Sequence, residues 1–532
     1  MAAVWALLLA VLVQGEEASS RAPRSREDSV AVHVQQQLRA ASLQLYENRA
    51  LLGFYGRRAF RAAWSSEHGP NRLADDFVEA IGRADLDGLE PEDYRLSHIR
   101  ALLDTVRADA AKGRAPAPDR LAQLDILLSD AFLLYGSHLL SGRVDPETLH
   151  PMWEANRRGA DLAMVLEDAL ASRKIARALQ RLAPNDAGYQ RLREALARER
   201  AIAARGGWSR LAAGAPSDAL RERLQIEGDW KEGDSLSIGV RRFQRRHGLA
   251  VTGTVDAATY ATLNVTAQAK VEQLRLNLER WRWLPQDLGR RRIMVNIAAQ
   301  ELDVIEDDES VLHMRVVVGG EYRRTPVFSD TVRYIVLNPN WHVPTSIALQ
   351  EVIPKALKDS TYFERFGMRL MTAGDTQAVD PRTIEWSTVT ADNFPYRVRQ
   401  DPGRLNALGR MKFMFPNRYD IYLHDTPSRR LFAQPQRDFS HGCIRLEKPL
   451  DLAVYLMKKS RWNRDAIEAA LDEGTERTIY LPRPTSVHLL YWTAWADDEG
   501  VIQFRPDIND VDDALAAALD APLRPTREAK RN

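Results

Sequence analysis

The pattern of apolar positions predicts a helical first half and a strand-rich second half. From about residue 31 to 205, apolar residues recur every three or four positions and Val/Ile alternation is scarce, which is typical of amphipathic helices. The segment Leu121–Leu140 is an example, and turn residues follow it at 142–146. The positions expected on its buried face are Leu124, Leu127, Leu128, Ala131, Leu134 and Tyr135. The polar residues 20–30 before this region are expected to form a flexible leader.

A compact helical module is expected over residues 216–265, after a cluster of Gly, Pro and Ser. A helix is predicted at Ser235–His247, and Asp256 is placed to cap a short helix that runs to Leu263. Four arginines in residues 241–246 form either a solvated helix surface or an anion-binding face. A further helix is predicted over residues 268–283. The candidate core positions of the module are Ile238, Phe243 and Leu249.

Strand signals take over at Arg292. Alternating β-branched residues with turns between them predict strands at residues 294–297, 301–305, 314–318 and 334–337. Residues 292 to about 480 are therefore expected to form a mainly β domain, interrupted by a mixed polar insertion over about 345–405. Two more strands are expected at Val487–Trp495 and Val501–Phe504.

Composition indicates a soluble globular protein. The chain has 532 residues, of which 45% are hydrophobic and 28% are charged, and this length predicts about three domains. The net charge of +1 provides no field that would steer the protein to nucleic acid or to an anionic membrane. We therefore expect no nucleic-acid partner and at most a peripheral membrane association.

The N-terminus carries an apolar run, Ala2–Val13, that is too short to span a bilayer comfortably. It fits the hydrophobic region of a secretory signal, and residues 13–15 offer a small-residue cleavage pattern. We therefore expect residues 1–18 to be a signal peptide and the protein to be exported.

The only cysteine, Cys443, lies in the run Ser440-His441-Gly442-Cys443, and a second histidine, His424, lies upstream. A lone thiol with a partner histidine elsewhere in the chain is the pattern of a thiol nucleophile, although most free cysteines are small buried hydrophobes. A thiol needs a base or an electropositive environment to react at neutral pH, and both histidines qualify by type.

The residues next to this thiol suit acyl chemistry. If residues 441–445 are extended, then His441, Cys443 and Arg445 share one face. Gly442 leaves room for a substrate carbonyl and frees the backbone to cradle an oxyanion, while Arg445 is able to bind a carboxylate.

A zinc site is an alternative use of the same side chains. His424, Asp425, His441 and Cys443 are all ligand types, but no Cys-x-x-Cys or His-x-x-x-His spacing accompanies them. We therefore expect no metal and no other cofactor. Asp425, or a backbone carbonyl, would instead orient the His424 imidazole.

The spacing of His424 from Ser440-His441-Gly442-Cys443 resembles the catalytic signature of the L,D-transpeptidases. Residues 240–264 resemble the small helical peptidoglycan-binding module of many wall enzymes. Over essentially residues 35–510 the chain is similar to the large, periplasmic type of this family. The further matching segments are Gly319-Gly320, Thr325-Pro326, Asn338–Pro344 and Asn406–Phe413.

This resemblance implies a multidomain α+β protein. It would have a helical N-terminal scaffold, a small three-helix peptidoglycan-binding module and a mainly β L,D-transpeptidase catalytic domain with a capping insertion. The expected boundaries are a signal peptide at 1–18, a flexible leader at 19–34, the scaffold at 35–210, the module at 216–267, the catalytic domain at 290–510 with its capping insertion at 345–405, and a C-terminal tail at 511–532.

The resemblance also implies a transpeptidation that needs no ATP. Cys443 would attack the carbonyl of the third residue of a tetrapeptide stem, release D-alanine and form a thioester, which an amine of a neighbouring stem resolves as a 3→3 cross-link. His424 ranks above His441 as the base, and His441 with the N–H groups of Gly442 and Cys443 would support the oxyanion. The expected substrate-binding residues are Ser440, Arg445, Trp341, His342 and Tyr422.

Several alternatives stay open at this stage. Trp341 and His342 would otherwise pack under the cap, and Phe413 and Phe415 are assigned to the core. The same catalytic residues also suit a Cys/His peptidoglycan L,D-carboxypeptidase or hydrolase, in which water resolves the thioester, and an inactive wall-binding scaffold is a further alternative. The expected partners are peptidoglycan stem peptides and glycan, together with other wall-synthesis proteins, and the expected location is the periplasm.

Overall fold

The computed structural model describes residues 25–523, except residues 41–42, 67, 155–157, 213, 373, 375–376, 387–388 and 391–392. The chain divides into two compact units. The first contains residues up to 143, residues 157–185 and residues from 519 onwards, and the second contains residues 144–156 and 186–518. The expected signal peptide lies outside the described residues. Within the described residues, no helix is long and apolar enough to cross a membrane.

The first unit is helical, in agreement with the apolar spacing of its sequence. Two short strands, β1 (Ser65–Ser66) and β2 (Gly69–Pro70), pair with each other in antiparallel fashion. Short 3-10 helices lie at Ala84–Asp87 and Pro91–Tyr94. The α-helices are Arg26–Arg39, Asn48–Arg57, Arg72–Ile81, Leu96–Ala111, Pro118–Ser141, Leu162–Ser172 and Ile175–Leu182.

The helix Pro118–Ser141 is buried around almost its whole circumference. The six expected apolar positions are buried, but so are Asp125 and Asp130. The Asp125 carboxylate accepts hydrogen bonds from the backbone N–H groups of Ala63 and Trp64, both at 2.8 Å, which satisfies it away from water. The buried surface of this helix is therefore wider than the single stripe expected from the sequence, because other helices of the unit pack around it.

The prediction of a flexible leader at 19–34 is wrong for the part that the structure describes. The helix Arg26–Arg39 begins inside it with a capping box, in which Ser25 Oγ accepts from the Asp28 N–H and the Asp28 carboxylate accepts from the Ser25 N–H, both at 3.1 Å. The apolar spacing of this helix packs it against Pro118–Ser141. Its buried residues are Val30, Val34 and Leu38.

The expected C-terminal tail from residue 511 is helical in its described part. A helix spans Asp512–Asp520, with Leu515 and Leu519 buried. The Asp507 carboxylate accepts hydrogen bonds from the backbone N–H groups of Val511 and Asp512 at 2.6 and 2.7 Å, which caps the start of this helix.

A three-helix module lies in the second unit, as the sequence predicts. Its helices are Ser217–Ile226, Leu236–Arg246 and Ala257–Leu263, and Ser235 and Asp256 cap the second and third. Phe243 is in the core, but Ile238 is 43% exposed, so its assignment to the core is wrong.

One arginine of this module fits neither expectation for the run at 241–246. Arg246 is buried and bonds to Asp229 at 2.6 Å and to Glu227 at 3.1 Å. It therefore belongs to a buried ion-pair cluster rather than to a solvated surface or an anion-binding face.

The rest of the second unit is built around a barrel. The strands are β3 (Arg291–Asn296), β4 (Glu301–Glu306), β5 (Glu309–Val317), β6 (Phe328–Leu337), β7 (Trp341–Val343), β8 (Met368–Thr372), β9 (Ala378–Val379), β10 (Tyr396–Gln400), β11 (Met411–Met414), β12 (Leu423–His424), β13 (Ile444–Leu446), β14 (Arg477–Leu490), β15 (Ala494–Ala496) and β16 (Ile502–Phe504). Eight of them close a barrel in the order β11-β12-β13-β5-β4-β3-β14-β6. Phe413 and Phe415 are fully buried, as predicted. The strand predicted at Val487–Trp495 is instead the end of the long β14 followed by β15, which pairs with β16.

The insertion after β6 has a sheet and a hydrophobic core of its own. Its sheet has the order β7-β10-β8-β9. Short helices lie at Thr345–Ile347, Ile353–Lys358 and Tyr362–Arg365, with one turn of π-helix at Ala348–Val352 between the first two. The other α-helices of the second unit are Pro146–Leu149, Ala187–Ala204, Ala267–Arg282, Pro449–Leu456 and Arg464–Asp472.

Candidate active site

Three neighbouring barrel strands bring polar side chains to one side of the sheet. Strand β12 pairs antiparallel with β11, where His424 lies opposite Lys412, and parallel with β13, where His424 lies beside Arg445. Leu423 and Ile444 point the other way and are fully buried in the barrel. The outward side is called the reactive face, and it consists of Lys412, Tyr422, His424, Cys443 and Arg445.

Residues 440–443, the thiol loop, bend sharply before β13 begins. Gly442 has a φ of +109°, which residues with a side chain rarely adopt. Its carbonyl accepts a hydrogen bond from Thr325 Oγ1 at 2.8 Å. The expectation that residues 441–445 are extended throughout is therefore wrong. Cys443 and Arg445 nevertheless lie on one face, because β13 starts at Ile444 and side chains alternate along it.

Ser440 holds the thiol loop together from inside. Its side chain is buried, and its hydroxyl donates to the Cys443 carbonyl at 2.5 Å. The same oxygen accepts a hydrogen bond from the Gly442 N–H at 3.1 Å. The Gly442 N–H, expected to support an oxyanion, thus has an internal partner, and the substrate-binding role expected for Ser440 stays a prediction.

The Cys443 side chain is partly buried on the reactive face. Its thiol donates to the Asp420 carbonyl at 3.7 Å. The register of β12 and β13 places Tyr422 beside Cys443. Burial raises the pKa of the thiol, and the Tyr422 donors with the cations of Lys412 and Arg445 offset part of this rise. The thiol is therefore protonated at neutral pH in the resting protein.

His424 is a neutral base candidate with a fixed orientation. Its Nδ1 lies 2.6 Å from the Asp425 carbonyl oxygen, so this nitrogen carries the proton and Nε2 is the acceptor. Burial, and then the nearby charge of Arg445, lower the pKa of His424 to about 3. The sequence left the orienting group open between a carboxylate and a carbonyl, and the carbonyl makes the contact. Asp425 instead uses its carboxylate to accept from the Arg410 N–H at 2.9 Å.

The two expected catalytic histidines contact different groups. Within the described residues, no hydrogen bond joins the Cys443 thiol to His424, although both belong to the reactive face. Such contacts are often long in unliganded enzymes and tighten when substrate binds. His441 lies in the thiol loop, and its Nε2 is 2.5 Å from Glu351 Oε1 of the insertion.

The other expected substrate residues take different positions. Arg445 has a buried Nε with no hydrogen-bond partner, which leaves a donor for a ligand. Trp341 packs on the hydrophobic core of the insertion, which is the alternative to a substrate contact that the sequence left open. His342 is exposed on the opposite side of β7. The substrate roles of these three residues stay predictions.

The zinc alternative has no support from ligand geometry. In the part of the chain that the structure describes, no three or more His, Cys, Asp or Glu side chains are grouped to hold a metal ion. His424 and His441 are instead oriented by a carbonyl and a carboxylate.

Sequence reasoning missed two charged residues of the site. Lys412 Nζ lies 3.9 Å from the centre of the Tyr422 ring, and burial lowers its pKa. The alternation of Lys412 with the core residue Phe413 is a signal that would have placed it beside the site. Glu351 lies 90 positions from His441, and no local pattern connects the two.

Comparisons with known families agree with the motif. Residues 290–468 match the model of the L,D-transpeptidase catalytic domain, residues 223–263 match that of a "putative peptidoglycan binding domain", and residues 49–196 match that of a scaffold domain. The resemblance seen in the sequence and the predicted α+β fold class are therefore confirmed. Residues 290–468 are thus similar to an L,D-transpeptidase catalytic domain.

Two individual proteins are similar to parts of the chain. A Haemophilus influenzae protein named "Putative L,D-transpeptidase" is 34% identical over 237 residues, which cover 44% of this chain and 47% of the relative. The chain thus spans about half the length of this curated relative. A solved L,D-transpeptidase from Mycobacterium smegmatis is 14% identical, with 38% of this chain and 58% of that one covered. Its TM-score of 0.17 is too low to support an argument.

The pH dependence of thiol alkylation tests the protonation state of Cys443. Because burial raises its pKa, the rate of reaction with iodoacetamide is expected to keep rising with pH, with an inflection above the ordinary thiol value of about 8.5. The measurement is the rate of adduct formation by mass spectrometry between pH 5 and 10, with the unfolded protein as control. A rate that is already at its plateau below pH 7 would mean that a thiolate–imidazolium pair exists at rest.

Proposed function

We propose that this protein is an L,D-transpeptidase that forms 3→3 cross-links in peptidoglycan through a Cys443 thioester. The observation that carries the proposal is the reactive face, where strand pairing sets a thiol and a neutral imidazole among hydrogen-bond donors and cations. The match of this region to an L,D-transpeptidase catalytic domain supports the same chemistry.

In the first half-reaction, the Cys443 sulfur attacks the carbonyl carbon of the third residue of a tetrapeptide stem. His424 Nε2 takes the thiol proton as the carbon–sulfur bond forms, because neither group is charged at rest. When the tetrahedral intermediate collapses, the carbon–nitrogen bond breaks and the amine of D-alanine takes the proton from His424. A thioester acyl-enzyme remains.

In the second half-reaction, the side-chain amine of a neighbouring stem attacks the thioester. His424 Nε2 accepts a proton from this amine, the carbon–sulfur bond breaks, and the Cys443 sulfur regains the proton. The products are a new amide bond and the original thiol. The same base thus serves both halves, as microscopic reversibility requires of a symmetric acyl transfer.

The Tyr422 hydroxyl is the proposed side-chain donor for the oxyanion. The parallel register of β12 and β13 places Tyr422 beside Cys443, and therefore close to the carbon that the sulfur would attack. Burial, and then the neighbouring Cys443, raise the pKa of Tyr422, so it keeps its proton and acts as a donor. The Cys443 N–H is the proposed backbone donor, since the Gly442 N–H bonds to Ser440.

Arg445 is the proposed contact for a carboxylate of the stem peptide. Burial lowers its pKa but leaves it a cation, and its buried Nε lacks a hydrogen-bond partner. The peptidoglycan-binding and catalytic domains suggest an extracytoplasmic location, and we propose the periplasm. Other wall-synthesis proteins are proposed as partners.

Product analysis tests transfer against hydrolysis. The protein is incubated with a purified disaccharide-tetrapeptide, and the products are separated and identified by mass. The wild type is expected to give a cross-linked dimer and free D-alanine, and Cys443→Ala is expected to lose at least about three orders of magnitude in rate. Tripeptide without dimer would support a carboxypeptidase or hydrolase instead. If a folded wild type forms neither a product nor an adduct on Cys443, the inactive wall-binding scaffold would be the remaining function.

The Tyr422→Phe substitution tests the proposed oxyanion donor. Loss of one such donor is expected to slow acyl transfer by about a hundredfold or more, because the hydroxyl stabilises charge that exists only in the transition state. Tyr455→Phe, which removes a hydroxyl bonded to Glu306 on another part of the unit, is the matched control. Equal rates for Tyr422→Phe and the wild type would remove Tyr422 from the mechanism.

A further inference from the structure

The insertion delivers a carboxylate to the thiol loop. Glu351 lies on the single π-helical turn Ala348–Val352, and its Oε1 is 2.5 Å from Nε2 of His441. The same carboxylate oxygen lies 3.1 Å from Nη1 of Arg323. A π-turn adds a residue to a helix and changes the direction of the side chains that follow, and such turns are frequent at functional sites.

The contact with Glu351 fixes the proton of His441. An ionised carboxylate has no proton to donate, so Nε2 of His441 must carry one. That nitrogen therefore has no lone pair with which to take the thiol proton. The contact gives the second histidine of the motif a role that differs from that of His424.

Arg323 links the same carboxylate to a second segment that supports the thiol loop. The segment 319–325 donates a hydrogen bond from the Gly320 N–H to the Ser440 carbonyl at 3.2 Å and another from Thr325 Oγ1 to the Gly442 carbonyl. Arg323 also donates to Gln350 Oε1 at 2.5 Å. Glu351 thus joins three segments that are distant in sequence: the insertion, residues 319–325 and the thiol loop.

The position of Glu351 also bears on the reactive face. Its negative charge acts on the Arg445 guanidinium, which faces Cys443 as well. An exposed ion pair alone contributes little, typically below about 1 kcal/mol. Glu351 and His441 are only part-exposed, however, and the carboxylate has Arg323 as a second partner, so its geometry is constrained from two sides.

We propose that Glu351 is a positioning residue, which keeps the proton of His441 on Nε2 and holds the insertion against the thiol loop during acyl transfer. The insertion then contributes a side chain to the candidate active site. The kinetic consequence rests on the proposed transpeptidase function, whereas the contact with His441 does not depend on any activity.

The first test is nitrogen-15 NMR of the His441 imidazole at pH 7, without substrate. The wild type is expected to show a proton on Nε2, and Glu351→Ala is expected to move its signals toward those of a free imidazole. Glu364→Gln is the matched control, since Glu364 is an exposed glutamate on another helix of the same insertion. Unchanged His441 signals in Glu351→Ala would overturn the proposal.

The second test is the rate of acylation by the tetrapeptide donor. Glu351→Gln keeps the shape and an acceptor oxygen but removes the charge, so kcat/KM is expected to fall about tenfold or more, the effect of weakening one charge-assisted hydrogen bond. Alkylation of Cys443 by iodoacetamide is expected to stay within about twofold, because His424 and the thiol are untouched. Equal acylation in Glu351→Gln and Glu364→Gln would overturn the positioning role even if the NMR signals move.

The two tests separate this proposal from the proposed function. If the wild type forms neither an acyl-enzyme nor products, the transpeptidase assignment fails, and the NMR experiment still decides whether Glu351 holds the His441 proton. If the wild type is active, the comparison of Glu351→Gln with Glu364→Gln decides the positioning role.

Discussion

The candidate site depends on one short pairing of parallel strands. Strand β12 contains only Leu423 and His424, and it pairs with the start of β13 so that Leu423 lies beside Ile444 and His424 beside Arg445. Leu423 and Ile444 are fully buried, which fixes the register because a slip of one residue would expose them. The same register carries Cys443 to the side of Tyr422. A small apolar pairing thus sets the positions of the polar groups on the other side of the sheet.

Burial of groups on the reactive face determines their pKa values. Desolvation disfavours the charged form of each group, so it raises the pKa of the Cys443 thiol and lowers that of the His424 imidazole. Lys412 and Arg445 favour the thiolate without reversing the rise in the pKa of Cys443, and they add to the fall in the pKa of His424. The resting site is therefore a neutral thiol beside a neutral imidazole. In our account the proton moves only when a substrate carbonyl is present to be attacked.

The parts of this fold that local rules determine could be predicted from the sequence. The caps Ser235 and Asp256 and the core residue Phe413 follow from side-chain chemistry close in sequence. Ile238 shows the limit, because apolar spacing does not reveal which helix face has a neighbour. The helix at Arg26–Arg39 was hidden by its polar composition, although its capping box and its spacing of Val and Leu are local signals.

The residues of the candidate site could be predicted from the sequence, but the contacts between them could not. The motif identified Cys443 and both histidines, since their types and spacing are visible in the chain. The bend at Gly442 is accompanied by a hydrogen bond from Thr325 to the Gly442 carbonyl, which joins positions far apart in sequence. The contact between Glu351 and His441 joins positions far apart in sequence through a π-turn, which no spacing rule describes.

The most direct measurement of the central claim is the intact mass of the protein during the first turnover with a disaccharide-tetrapeptide, followed by peptide mapping. Our account predicts a transient adduct with the mass of the donor less D-alanine, located on Cys443 and removed by an acceptor amine. An adduct on another residue, or cross-linked product formed without any covalent intermediate, would contradict it.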